Sequence, residues 1–262
     1  MKTFFGLFIF VVAISQPIYA GEFEFTFAKD LFGEIDHLET IVTFDGQPAT
    51  CLVDTGARFT VGKKSLLSTQ KKIRETSGGG VSGAESITEW ILAKVQVGEW
   101  TNEETEFIGR REDQTLPATC LLGNDFFINR EFSIDFSARK FSDESRFNGK
   151  TFPLFKNLGE LGGHFGFQLN ISDETMDSIF DTGATNTVVD LKVVAAHPQN
   201  FIFVKEIEVV EGSGQLIKSG LYIAKSLKFG DYEDLNVEVY VIDLSYLQTK
   251  LPTVKAVIGD RK

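Results

Sequence analysis

Two aspartates stand in the same local setting, half a chain apart. Asp54-Thr55-Gly56-Ala57 returns as Asp181-Thr182-Gly183-Ala184, 127 positions later, and two residues after each comes Thr-Val, at Thr60-Val61 and Thr187-Val188. Paired carboxylates suit acid hydrolysis. Two carboxyl groups about 3 Å apart cannot both ionise, so they share one proton. The charged member acts as a base toward a bound water, and the protonated member acts as an acid toward a carbonyl oxygen. Water then attacks an amide directly, with no covalent intermediate and no need of a metal or cofactor. The two pKa values belong to the pair. Activity should fall once both groups are ionised, which gives an acidic to mildly acidic optimum. Two chance copies of Asp-Thr-Gly in one chain of this length are expected with a frequency on the order of a thousandth.

The surrounding residues fit that purpose. Each copy follows a mostly apolar, strand-like run, Cys51-Leu52-Val53 and Ser178-Ile179-Phe180, so each aspartate arrives at a strand end where the chain turns. Gly56 and Gly183 permit a backbone conformation and a close approach that a side chain would block. Thr55 and Thr182 carry hydroxyls that both donate and accept, and so can brace the turn.

More of the chain is duplicated. Ala93 to Trp100 parallels Ala224 to Tyr232 with one residue inserted, and Leu121-Leu122-Gly123-Asn124-Asp125 parallels Val257-Ile258-Gly259-Asp260. The texture within each half is β: short segments rich in Val, Ile, Thr and Phe alternate with polar residues, as in Leu38 to Phe44 and Phe165 to Ile171. Asp45-Gly46 is a hairpin signal. Short helices are expected at Asn124 to Arg130 and Leu191 to Ala196. Between the paired signatures lie the glycine-rich stretches Ser77 to Gly83 and Glu211 to Gly214, which read either as mobile hairpin tips or as surface loops. A turn-rich link near 148–155 divides the copies, so the domains are 1–20, 21–148 and 149–262.

The first of these is read as a secretory signal peptide: Lys2, an apolar run from Phe4 to Ile14, then Pro17 and Ile18-Tyr19-Ala20 before Gly21. Its apolar run is too short for a spanning helix. Export to the periplasm or outside the cell follows, with no stable membrane anchor. The net charge of −11 becomes −12 when Lys2 is removed. Such an acidic chain without a basic cluster argues against nucleic acid as a partner. Cys51 and Cys120 form a disulfide if their strands are neighbours, or remain buried free thiols. His37, His164 and His197 are isolated, share no motif with the cysteines, and are read as surface or structural residues, with no metal site.

With these motifs in view, the chain resembles the aspartic peptidases of the retropepsin and pepsin type. Asp-Thr-Gly-Ala-x-x-Thr-Val resembles the retropepsin active-site loop in both halves. Leu121 to Phe127 followed by Phe132-Ser133-Ile134-Asp135-Phe136 resembles the second signature of bacterial retropepsin-like proteases. The resemblance implies an all-β molecule of two lobes related by a pseudo-twofold axis, with Asp54 and Asp181 catalytic at their junction. It implies that Thr55 and Thr182 hydrogen-bond across the lobes, with Gly56 and Gly183 as active-site support. It implies flaps over a polypeptide substrate, at Gly78, Gly79, Gly80 and Val81 and at Gly212, Ser213 and Gly214. Trp90 is a weak flap aromatic and a better core residue. Three residues follow Gly259, leaving no counterpart to the helix and strand expected after Gly123. Because both copies lie in one chain, a monomer can build the pair.

The expectation is therefore a monomeric, exported aspartic endopeptidase. The rival is a catalytically inactive peptide-binding or inhibitory homologue using the same cleft. Intact Asp-Thr-Gly in both halves counts against that rival, and the shorter second lobe counts for it.

Overall fold

In the computed structural model, residues 21–29, 35–67, 72–79, 85–110, 119–127, 130–143, 155–156, 163–171, 174–210 and 216–259 are described. The residues of the link between the copies that lie at 148–154, and residues 1–20, fall outside them. In the first lobe, the strands are β1 (Glu22–Glu24), β2 (Thr26–Lys29), β3 (Ile35–Phe44), β4 (Gln47–Val53), β5 (Val61–Lys63), β6 (Lys72–Gly79), β7 (Glu85–Val97), β8 (Trp100–Arg110), β9 (Cys120–Leu122), β10 (Ser133–Asp135) and β11 (Lys140–Ser142). The second lobe contributes β12 (Phe155–Lys156), β13 (Phe165–Ile171), β14 (Glu174–Asp181), β15 (Val188–Asp190), β16 (Phe201–Val210), β17 (Leu216–Phe229), β18 (Tyr232–Ile242) and β19 (Val254–Gly259), with helices α1 (Leu191–Ala196) and α2 (Ser245–Gln248).

The duplication carries through to topology. One eight-stranded sheet runs β2-β3-β4-β9-β5-β8-β7-β6 and the other β12-β13-β14-β19-β15-β18-β17-β16, so each strand has a counterpart at the same place. Each sheet also closes on itself, through β3–β7 and β13–β17, making two barrel-like lobes. The strands form where side chains alternate. In β7, Ile91, Ala93, Val95 and Val97 are buried while Leu92, Lys94 and Gln96 face solvent. The Asp45-Gly46 hairpin has positive φ at both residues, 46° and 88°, as a tight primed turn requires. Gly98 and Gly230 occupy matching turns, with φ of 52° and 55°.

The lobes differ in what closes their base. In the first, β1, β11 and β10 form a three-stranded sheet. It buries Phe23 against Phe141, the rings stacked 4.6 Å apart, and both join Phe44, Trp100, Phe107, Phe126 and Phe127 in one aromatic core. Burying each such ring contributes about 1.5–3 kcal/mol. Phe132 packs edge-on against Phe165 at the start of β13, so this core touches the second lobe. The second lobe has its own, mostly aliphatic core around Leu169, Val189, Val239 and Ile258, joined by Phe167 and Phe201. The expected helix after Gly123 is a single 3-10 turn, Asn124–Phe126, and the expected helix at Leu191 to Ala196 forms as α1, capped by the Asp190 carboxylate accepting from the Lys192 N–H.

Candidate active site

β4 delivers Asp54 to a strand end, where its N–H donates to the Leu122 carbonyl at 3.0 Å. The chain must then turn back, because β9 lies between β4, to which it is parallel, and β5, to which it is antiparallel. The turn is closed by the Ala57 N–H, which donates to the Asp54 carbonyl at 3.2 Å and to its carboxylate at 2.7 Å. Gly123 lies under this turn with no room for a side chain: a Cβ would stand 2.6 Å from the Thr60 nitrogen. The second lobe repeats the device. Asp181 pairs with Gly259, its carboxylate accepts from the Gly183 N–H at 2.8 Å, and a Cβ on Gly259 would stand 2.7 Å from the Asn186 carbonyl oxygen.

The two turns meet. The Thr55 N–H donates to the Thr182 hydroxyl at 3.2 Å, and the Thr182 N–H donates to the Thr55 hydroxyl at 3.0 Å. Each hydroxyl in turn donates to the carbonyl preceding the opposite aspartate: Thr55 to Phe180 at 2.9 Å, Thr182 to Val53 at 2.6 Å. Both threonines are fully buried. The glycines are equally reciprocal. A Cβ on Gly183 would lie 2.5 Å from the Asp54 carboxyl carbon, and one on Gly56 would be closer still to that of Asp181.

The Asp54 carboxyl lies against Gly183 and the Asp181 carboxyl against Gly56, so the two face each other across the junction, and each weighs on the other's titration. Both keep some surface open to solvent, yet the protein around them is dense enough that desolvation dominates their titration. Burial raises Asp54 above its ordinary value, against hydrogen bonds from Ala57, Asp181 and Gly56 that favour the charged form. Asp181 is raised well above its ordinary value, by burial first and by the Asp54 charge next. Such a pair retains a proton where an isolated carboxyl has lost it. It can hold a water between one base and one acid.

The structure adds residues not singled out from the sequence as contributors to the site. Asp125 braces the loop beyond Asp54: its carboxylate accepts from the Thr60 N–H at 2.9 Å and the Thr60 hydroxyl at 2.7 Å, and that hydroxyl accepts from the Gly123 N–H at 3.1 Å. Burial pushes Asp125 up to about 6. Cys51 and Cys120 are bonded as a disulfide, joining directly paired residues of β4 and β9, which decides between the two readings of these cysteines. The equivalent pair in the second lobe is Ser178 and Ala256. His37 and His164 are also 127 positions apart and stand at the same point relative to β3 and β13, a spacing the sequence already contained.

The glycine-rich stretches are only partly in view. Gly78 and Gly79 end β6, in a hairpin with β7, while Gly80, Val81, Gly212, Ser213 and Gly214 lie outside the described residues. The second stretch separates β16 from β17, a hairpin equivalent to the first. Trp90 of β7 is 5% exposed. Its indole N–H donates to the Thr76 hydroxyl of β6 at 2.6 Å and its ring packs edge-on against Phe59 of the aspartate loop, centroids 4.6 Å apart. It is a core residue that ties the hairpin base to the loop. Among the described residues no group of three His, Cys, Asp or Glu could hold a metal ion, and no helix is long and apolar enough to cross a membrane.

Comparison with known proteins places both halves in one class. The family described as "gag-polyprotein putative aspartyl protease" matches residues 40–129, and the family described as "Aspartyl protease" matches residues 167–259. Among solved structures, the chain is similar to a retropepsin-like aspartic protease from Rickettsia conorii, at 19% identity and a TM-score of 0.33, over 47% of this chain and 91% of that one. No curated protein gives a significant match.

Proposed function

As the chain belongs to the retropepsin-type aspartic peptidases, we propose that it is an aspartic endopeptidase in which Asp54 and Asp181 share one proton and activate water against a peptide bond. The ionised carboxylate takes a proton from the water as its oxygen bonds to the carbonyl carbon. The protonated carboxyl gives its proton to the carbonyl oxygen. The resulting diol collapses, the C–N bond breaks, and the amine leaves with a proton returned from the pair. The observation that carries this reading is the reciprocal threonine bonding, which ties the two aspartate turns together at the lobe junction.

The substrate would be an extended polypeptide lying between the lobes beneath the β6–β7 and β16–β17 hairpins. The protein would act as a monomer, since one chain supplies both halves of the pair. We further propose export, with residues 1–20 as signal and the lobes divided at 148/149. The Cys51–Cys120 disulfide supports an oxidising compartment.

The test is digestion of an unfolded protein mixture by wild type, Asp54→Asn and Asp181→Asn across roughly pH 3 to 7. Wild type should cut and both variants should lose at least about a thousandfold in rate, the scale on which loss of a group that acts as part of a catalytic unit is felt. A wild type that binds peptides and cuts none would establish the inactive homologue instead. A variant that keeps full activity would end the shared-proton mechanism.

A further inference from the structure

Among the described residues, Arg58 is a cation with no carboxylate in ion-pair contact. It follows Ala57, whose N–H holds the Asp54 carboxylate, and precedes Phe59, whose ring packs against Trp90 at the base of the β6–β7 hairpin. It therefore belongs to the short segment that joins the aspartate to the flap. Its guanidinium lies over the Phe59 ring, 4.8 Å from the centroid, and the residue is half-buried. None of the ion pairs among the described residues involves it.

The other lobe adds a neutral imidazole near this loop, where Gly163 accepts from the Asn124 amide. His164, just before β13, feels the Arg58 charge: burial first and Arg58 next hold its imidazole down to about 4. Its Nδ1 is buried with no hydrogen-bond partner among the described residues. The pseudo-twofold relation shows how lopsided this is. His164 has a counterpart in His37, 127 positions earlier, but the position matching Arg58 is Thr185. The guanidinium has no twin.

We propose that Arg58 forms a subsite for an aspartate or glutamate side chain of the substrate, on one side only of the scissile bond. The inference rests on the cleft being a polypeptide-binding cleft, as in the peptidase reading. A guanidinium held over an aromatic ring still has N–H groups to offer a carboxylate, which can be held by two parallel hydrogen bonds. The contact with Phe59 restrains the side chain in advance, so less of its freedom is lost on binding. The uncharged Thr185 in the other lobe cannot do the same, and the duplicated cleft acquires a polarity.

The experiment reads a ratio. A set of peptides with glutamate or glutamine at each successive position is titrated against Asp181→Asn protein by fluorescence anisotropy, and the same set is offered to wild type for cleavage. At one position, on one side, the glutamate peptide should bind about tenfold tighter, as expected of a charge-assisted hydrogen-bonded pair. Adding Arg58→Gln should bring the ratio near one, and adding Arg58→Glu should reverse it toward lysine peptides. Arg58→Lys, which keeps the charge but not the fork, should retain part of the preference and guards against a general folding defect. A preference that survives Arg58→Gln, or one absent from the start, overturns the inference. Cleavage without any glutamate preference removes this inference and leaves the peptidase reading intact. An intact preference with no cleavage by wild type does the reverse.

Discussion

Removing the Thr182 hydroxyl strands two buried backbone groups at once: the Val53 carbonyl it donates to and the Thr55 N–H it accepts from. Each unsatisfied buried group costs about 1–3 kcal/mol. Thr182→Ala should therefore lose about 2–6 kcal/mol in denaturant unfolding, and with it the alignment of the aspartates, while Thr182→Ser should stay near wild type. Equal stability of the two variants would show that the hydroxyl is not what joins the lobes. At this scale the sequence was legible where a residue type has few uses. Asp-Thr-Gly stated twice leaves little choice, and both aspartates and both threonines stand where the repeat implies. Asp125 was legible as part of a signature but not as a brace, because its partner Thr60 is 65 positions away and no local pattern reports that contact. Arg58 was silent for the opposite reason, since its character lies in what does not pair with it.

At the scale of elements, the determining feature is a short strand inserted between two others, β9 between β4 and β5, and β19 between β14 and β15. It forces each aspartate turn to close sharply, so the two turns can pack glycine against carboxylate. Gly183→Ala would place a methyl group 2.5 Å from the Asp54 carboxyl carbon. The carboxylate must move, and displacement of about 1 Å at a reacting group costs on the order of a hundredfold. Activity should fall by that factor while the unfolding midpoint changes little; unchanged activity would mean the carboxyls are not held by this contact. The disulfide acts on the same element. It closes a loop of 69 residues, which by chain entropy is worth about 4 kcal/mol. Cys51→Ala combined with Cys120→Ala should lose stability of that order, measured against the oxidised wild type. Alternation made these strands readable in β7 and β13, whereas insertion of β9 and β19 was not, because three to six apolar residues carry no signal of which neighbours they will find.

For the molecule as a whole, pH is the sensitive variable. Asp125 is raised from 3.8 to about 6, so the fold prefers its protonated form and loses that stability as pH climbs between those values. His164 is lowered from 6.5 to about 4, so the fold prefers it neutral and loses stability as pH falls across nearly the same window. The two oppose each other and largely offset. Asp54 and Asp181, both raised, then set the direction: stability should decline as pH rises and the pair is forced to ionise fully. Thermal unfolding should show a higher midpoint at pH 5 than at pH 8, and Asp54→Asn should remove most of that difference. Asp125→Asn should expose the His164 effect as a loss on the acid side. A wild-type midpoint higher at pH 8 than at pH 5 would contradict the assignment of the pair as one that retains a proton. Two-lobe symmetry was plain in the repeat. The three-stranded base of β1, β10 and β11, found in one lobe alone among the described residues, was not, because pairing Phe23 with Phe141 joins opposite ends of that lobe.

The cross-link sits in one lobe, where its counterpart in the other is only Ser178 beside Ala256. A bonded strand pair cannot slip by two residues, so β4 and β9 stay aligned even when the first lobe is loosened. β14 and β19 have no such lock and must find their alignment anew each time the second lobe refolds. The first lobe, made earlier on the ribosome, is then a fixed mould, offering Val53 and Thr55 as the surface on which Thr182 settles. Under the proposed peptidase activity, each molecule is also a substrate for its neighbours. The lobe that comes apart first is the one its neighbours will consume, and self-digestion of this protein should begin beyond residue 163.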